Sequence, residues 1–210
     1  MRYRYKTTHW IPYPIELVFA FFANPHNLPS LMKKWQSMRL EEAMIAPPPP
    51  RPVAPDPVHR VHTVAAGTGS SITFSFRPIP FSPVRLPWES NISQFTWNES
   101  FADIAVRSPF KHWEHLHLFE VETRANAAGV LVQGTQVKDD ITYVPPGGEG
   151  LMGRLLHDQV IHRMVHDLFK ERQRKLAKIL PTIMGRIIPI STQSSPGTAP
   201  SLAIPGSSPV

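Results

Sequence analysis

The chain has 210 residues, a net charge of +6, no cysteine and 24 prolines. Hydrophobic residues make up 41%, enough for one domain with a real core plus a tail. Without cysteine there is no disulfide, no thiol nucleophile and no thiolate-bound zinc or iron–sulfur centre. No apolar run approaches the ~20 residues needed to cross a bilayer. Met1-Arg2-Tyr3-Arg4-Tyr5-Lys6 leads into no apolar signal region, so a soluble, cytoplasmic protein is expected.

Tyr3, Tyr5 and Thr7 alternate with Arg4, Lys6 and Thr8, so residues 2–9 read as a strand. Pro14 suits the first turn of a helix, and Glu16 adds a favourable charge there. Ile15, Val18, Phe19 and Phe22 recur at helical spacing. Asn24-Pro25 ends this helix and starts a second, short one with Leu28, Leu31 and Met32 on its apolar side. Trp35, Ser37, Arg39 and Glu41 lead back to extended structure. Pro47 to Pro50, Pro52, Pro55 and Pro57 break regular structure over residues 46–58 and favour an extended loop. Such a loop is a stiff connector or a docking segment for an aromatic-lined groove. Gly67-Thr68-Gly69 lacks the rest of a nucleotide fingerprint and reads as a turn.

From Ser71 the period becomes two. Ile72, Phe74 and Phe76 share one face; Trp88, Ser90 and Ile92, then Phe95 and Trp97, follow on the next strand. Phe101–Arg107, His112–Glu122 and Val130–Val144 complete the series, with turns at Asn98-Glu99 and Asn126–Gly129. Pro145-Pro146-Gly147-Gly148 stops it. A long helix is expected from about Glu149 to Leu180. Met152, Leu155, Leu156 and Val160 lie on one side of it; Ile161, Val165, Leu168, Leu176 and Ile179 lie largely on the other. One straight helix cannot bury both sides on one sheet, so the expectation is either a break or kink near His157–Val160 or a first segment that covers something else, the mouth of a pocket being one candidate. Lys170, Arg172, Arg174, Lys175 and Lys178 then complement the dipole at the helix C-terminus. The remaining Lys and Arg are scattered, which argues against a nucleic-acid partner and leaves a weak attraction to an anionic membrane surface. Residues 181–210, rich in Ser, Gly, Thr, Ala and Pro, are expected to be disordered. The ligand-binding domain is thus residues 1–180.

Strand, two short helices, a run of strands and one long helix define an α+β fold, with a curved antiparallel sheet wrapped around the C-terminal helix. The most informative stretch is Trp113 to Phe119. As a strand it puts Trp113, His115, His117 and Phe119 on one face. The bulky aromatics mark that face as covered, so the two imidazoles need buried partners. Thr135, Val137, Asp139, Ile141 and Tyr143 alternate on the returning strand and offer one. A mostly apolar interior holding a few His and Asp groups describes a small-molecule pocket; it equally describes a satisfied polar core.

These residues carry a resemblance. Pro14–Phe19, Phe22-Ala23-Asn24-Pro25 and Asn27-Leu28-Pro29 are followed by Phe101-Ala102-Asp103 and Ser108-Pro109-Phe110. Trp113, His115, His117, Phe119, Thr135, Asp139, Ile141, Tyr143, Pro145, Phe169 and Arg172 come next, in that order. The chain resembles the START and birch-pollen-allergen (SRPBCC) superfamily over about residues 1–180, and within it the cyclase/dehydrase or polyketide-cyclase-like proteins. The resemblance implies a helix-grip fold and an internal hydrophobic cavity, without by itself implying catalysis. Ala105 and Ser108 stand where relatives often carry Gln and Gly, and the Pro47–Pro57 insertion lengthens a loop.

The expected partner is a lipophilic small molecule: a polyketide, quinone, sterol or fatty-acid-like compound. Phe101, Asp103, Trp113, His115, His117, Phe119, Asp139 and Tyr143 are the candidate lining residues. His115, His117 and Asp139 form the candidate acid–base set for a cyclase or dehydratase alternative. Asp103 faces the cavity with Phe101, or pairs with Arg107 near the rim. Asp158, His162 and His166 have i, i+4 spacing but lie on a polar helical stripe with no general-base Glu, so no metal is assigned. No cofactor is expected. A third reading is an interaction module docking a partner or membrane through the proline loop or the basic helix end.

Overall fold

The computed structural model describes residues 1–53 and 63–187. Its strands are β1 (Tyr3–Ile11), β2 (Arg39–Met44), β3 (Ser71–Phe76), β4 (Leu86–Thr96), β5 (Ser100–Arg107), β6 (His112–Ala125) and β7 (Leu131–Val144). They form one antiparallel sheet in the order β1-β7-β6-β5-β4-β3-β2. Short turns make neighbours of strands that follow one another, as at Asn126, whose side chain accepts from the Ala128 and Val130 amides. β1 returns to pair with β7, Tyr3 opposite Tyr143 and Ile11 opposite Thr135. Register shifts at Leu40/Glu42, Glu89/Ser90 and Ile92/Gln94 bend the sheet, as wrapping around a helix requires.

After β1, α1 (Ile15–Ala23) starts on Pro14, whose carbonyl accepts from Leu17 and Val18. Asn24 ends it and caps a 3₁₀ turn, Pro25–Asn27, by accepting from the His26 amide at 3.1 Å. α2 (Leu28–Leu31) follows, then a second 3₁₀ turn at Lys34–Gln36. On the C-terminal side, α3 (Leu151–Leu156) passes through a π turn, His157–Ile161, into α4 (His162–Ile187). The His162 amide bonds to the His157 carbonyl five residues back. The expected break falls at this turn.

Two expectations for this helix need correction. Met152, Leu155 and Val160 are not buried: they are 68%, 51% and 50% exposed. The inward positions are instead Gly153, His157 and Ile161, followed by Val165, Phe169, Leu176, Leu180 and Met184. The helix also does not stop at Leu180 but continues to Ile187 through Pro181, held by the burial of Leu180 and Met184. The basic cluster therefore lies inside α4, not at its end. Arg174 pairs with Glu171, Lys175 donates to the Met32 carbonyl and Arg172 turns inward. The expected tail beyond Ile187 lies outside the described residues.

Part of the proline segment, 54–62, also lies outside them. Its first part lies against the body of the protein. Trp97 Nε1 donates to the Pro49 carbonyl at 2.7 Å, and the Arg51 guanidinium stacks on Trp97 at 5.0 Å. Gly67 permits this contact, since a Cβ there would come within 2.6 Å of Pro48 Cα.

The core has two parts. The larger gathers Leu17, Val18 and Phe19 of α1 with Phe95, Phe101 and Phe119 of the sheet and Leu176, Leu180 and Met184 of α4. The smaller joins Trp113, Ile141 and Tyr143 to Ile161, Val165 and Phe169. Among the described residues, no helix is long and apolar enough to cross a membrane.

Candidate functional site

The alternation on β6 holds: Trp113, His115, His117 and Phe119 all face inward at 5% exposure or less. The pairing register sets their neighbours. Trp113 lies opposite Tyr143, and His115 between Asp103 and Ile141. His117 lies between Phe101 and Asp139. Three adjacent strands thus bring two imidazoles and two carboxylates to one patch of the sheet.

Asp139 sits behind the histidines. Its Oδ1 is 2.9 Å from His115 Nε2. His117 Nδ1 approaches the same oxygen to 2.8 Å, but off the line of a directed hydrogen bond. Burial alone would raise the Asp139 pKa; the contacts from both histidines outweigh it and hold the carboxyl well below the usual carboxylate range. An ionised carboxylate only accepts, so His115 Nε2 carries the donated proton. In the neutral imidazole Nδ1 then bears the lone pair, and it points towards Asp103 Oδ1 at 3.8 Å. Burial, reinforced by His115, lowers the pKa of His117 to about 3. Asp103 accepts from Ser90 Oγ at 2.9 Å. Burial pushes its carboxyl above the usual range, against the attraction of His115.

In front of this patch lies a cavity of about 590 Å³, between the sheet and the C-terminal helix. Its walls are mainly apolar: Phe74, Trp88 and Phe101 from the sheet, Leu28 from α2, and Val165 and Phe169 from α4. One polar cluster in the lining joins Ser90, Asp103, His115 and His117 of the sheet, and Arg172 of α4 borders the same cavity. The Arg172 guanidinium lies 5.0 Å from the Phe169 ring. Burial lowers its pKa, with Asp139 and Asp103 opposing.

No protein-family model and no curated protein matches the chain. Solved structures do. Protein Ms6760 from Mycobacterium smegmatis aligns over 86% of this chain and 92% of its own, with TM-score 0.52 and 13% identity. Ara h 8.0201 aligns over 87% and 99%, with TM-score 0.54 and 8% identity. Protein CV1439 from Chromobacterium violaceum aligns over 84% and 95%, with TM-score 0.50 and 10% identity. The fold is the helix-grip of the birch-pollen-allergen and SRPBCC proteins. At these identities the likeness is one of fold alone.

Within the helix-grip frame the candidate residues separate into two groups. Phe101, Asp103, Trp113, His115 and His117 line the main cavity; Phe119, Asp139 and Tyr143 do not. Phe119 packs on Phe19, with ring centres 4.9 Å apart. Asp139 contacts both histidines. Tyr143 packs on Phe110 and Trp113, and its hydroxyl is 3.1 Å from His157 Nε2. Burial raises the Tyr143 pKa to about 12. Asp103 accepts from Ser90 and lies 3.8 Å from His115 Nδ1 rather than pairing with Arg107.

Sequence reasoning missed three residues. Ser90 requires the strand register to be seen beside Asp103. His157, buried against Tyr3 with ring centres 3.4 Å apart, occupies an inward position four residues before Ile161. Arg172 counts in the sequence as part of a basic cluster at a helix end, and as a residue of the resemblance, although it interrupts the inward stripe between Phe169 and Leu176. That interruption was a usable signal.

Asp103, His115 and His117 also offer three metal-ligand atoms within 4.8 Å of one another. Asp139 supports the far side of His115, as carboxylates do behind metal-bound imidazoles. Arg172 faces the same space, however, and its fixed positive charge disfavours a dication there. Asp158 and His166 remain on the solvent side, their side chains about half exposed.

Proposed function

We propose that this helix-grip protein binds a lipophilic small molecule, of the polyketide, quinone, sterol or fatty-acid type, in the cavity between sheet and C-terminal helix. The cavity itself carries the reading. At about 590 Å³ it falls within the ~300–1,000 Å³ typical of small-molecule sites. Its lining, apolar with a few converging polar groups, is the composition such sites need for both affinity and orientation. Native mass spectrometry of protein purified from its own host is the test, together with titration of the neutral fluorophore Nile red. A retained mass, or saturable fluorescence reversed by a competing lipid, supports the reading. Absence of both ends it.

A cyclase or dehydratase activity is the second reading. It is favoured by His115, whose Nε2 is fixed by Asp139 while Nδ1 points into the polar corner, the arrangement a general base requires. Turnover of a poly-β-keto substrate, abolished in His115→Gln, supports it. Binding without turnover leaves a carrier. The docking-module reading has less support, because the basic cluster is dispersed along α4 and the start of the proline segment is held by Trp97.

A further inference from the structure

Arg172 is the unexplained charge of this interior. It lies among Val165, Phe169, Leu176 and Leu180, on the stripe that α4 turns towards the sheet, where a guanidinium is costly without a partner. Among the described residues it makes no hydrogen bond and no salt bridge; its contact is the face of Phe169. The nearby acids do not serve it directly. Asp139 is held by His115 and His117, and Asp103 by Ser90. They act on Arg172 only at longer range. The guanidinium borders the cavity, so its donors are available to whatever enters.

The shape of the surroundings narrows what that is. Arg172, His115 and Ser90 border the cavity together with Asp103, and most of the rest of its wall is apolar, Leu28, Phe74 and Val165 included. Such a space suits a molecule with one polar end and a long apolar remainder. The planar fork of a guanidinium matches two oxygens of a carboxylate with parallel hydrogen bonds. An ammonium group in the same place would lie beside the like charge of Arg172.

We infer that the cavity selects an amphipathic carboxylic acid, whose carboxylate pairs with the Arg172 guanidinium while its chain lies against the apolar wall. This rests on the proposed lipophilic ligand and specifies its head group. It also gives Arg172 a role distinct from the His115–Asp139 pair: it orients the ligand and does not transfer a proton.

The test compares decanoate, decanol and decylamine as competitors of Nile red on the whole protein, in wild type and in Arg172→Met and Arg172→Lys. Arg172→Met keeps length and apolar volume, and thermal melting confirms that each variant folds. In the wild type decanoate binds about ten- to a hundredfold more tightly than decanol, the range expected of a charge-assisted hydrogen-bonded pair; decylamine binds most weakly. In Arg172→Met that preference disappears while decanol binding is retained. Arg172→Lys keeps part of it. Equal affinities for decanoate and decanol in the wild type, or an unchanged preference in Arg172→Met, overturn the head-group assignment and leave the proposed function intact. Failure of Nile red and all three competitors to bind overturns both. If a variant is unfolded, the wild-type ranking of the three competitors still decides.

Discussion

Between Leu176 and Met184, α4 buries its inward apolar side chains to 3% exposure or less. Between Leu151 and Met164, the same rod of helix leaves Leu151, Met152, Leu155, Val160 and Met164 at 44% or more. The difference reflects what lies beneath each half. The C-terminal half rests on Leu17 and Phe19 of α1 and on the sheet. The N-terminal half spans the cavity, with Gln159, Val160 and Ile161 among its walls. One half clamps the fold; the other roofs a space. The π turn lies within the roof, and its first residue, His157, meets the Tyr143 hydroxyl.

Leu180→Ala attacks the clamp and should have the largest effect. Truncating a fully buried Leu costs about 2–5 kcal/mol, measurable by urea denaturation. A loss under about 1 kcal/mol would erase the contrast between the two halves.

The polar wall facing the roof gives a pH-dependent effect. The folded pKa of His117 is lowered to about 3, while an unfolded histidine titrates near ~6.5. The unfolded chain therefore binds the extra proton first. Its contribution to stability is complete above about pH 6.5 and is lost as pH falls towards about 3, by up to about 1.4 kcal/mol per pH unit. Asp139, also depressed, contributes stability present above the unfolded carboxylate value near ~3.9 and lost only at lower pH. Urea midpoints between pH 7 and 5 should therefore fall more steeply in the wild type than in His117→Leu. Parallel slopes would mean that His117 is not desolvated.

His157→Phe tests the π turn. It preserves a ring against Tyr3 but removes the partner of the Tyr143 hydroxyl, and should cost about 1–2 kcal/mol by the same assay. The smallest effect is expected for Leu155→Gln on the exposed roof, within about 0.5 kcal/mol of wild type. A larger loss there would show that the roof packs on something in solution.

Most of the architecture was legible because periodicity is local. Alternation from Trp113 to Phe119 and from Thr135 to Tyr143 identified two strands, their inward faces and the acid that would meet the imidazoles. The conflict between two apolar stripes identified the break at His157. What escaped depended on distant partners. Ser90 reaches Asp103 only because β4 and β5 pair with a shifted register. Leu180 and Met184 carry the helix through Pro181, although local propensity argues for a stop. Phe119 and Tyr143 share faces with cavity residues, but Phe119 packs on Phe19 and Tyr143 on Phe110, and neither borders the open space. A strand pattern tells which side chains point inward, not which of them find a void there.

Arg172 lies where the roof passes into the clamp, between Phe169 and Leu176, both at 3% exposure or less. Its anchoring is therefore separate from the turns at 159–164 that wall the cavity from above. Substitutions at Val160 or Met164 would alter the room left for the chain of a ligand, and a substitution at Arg172 would alter which head groups are kept. Fit and retention could then diverge separately in related proteins.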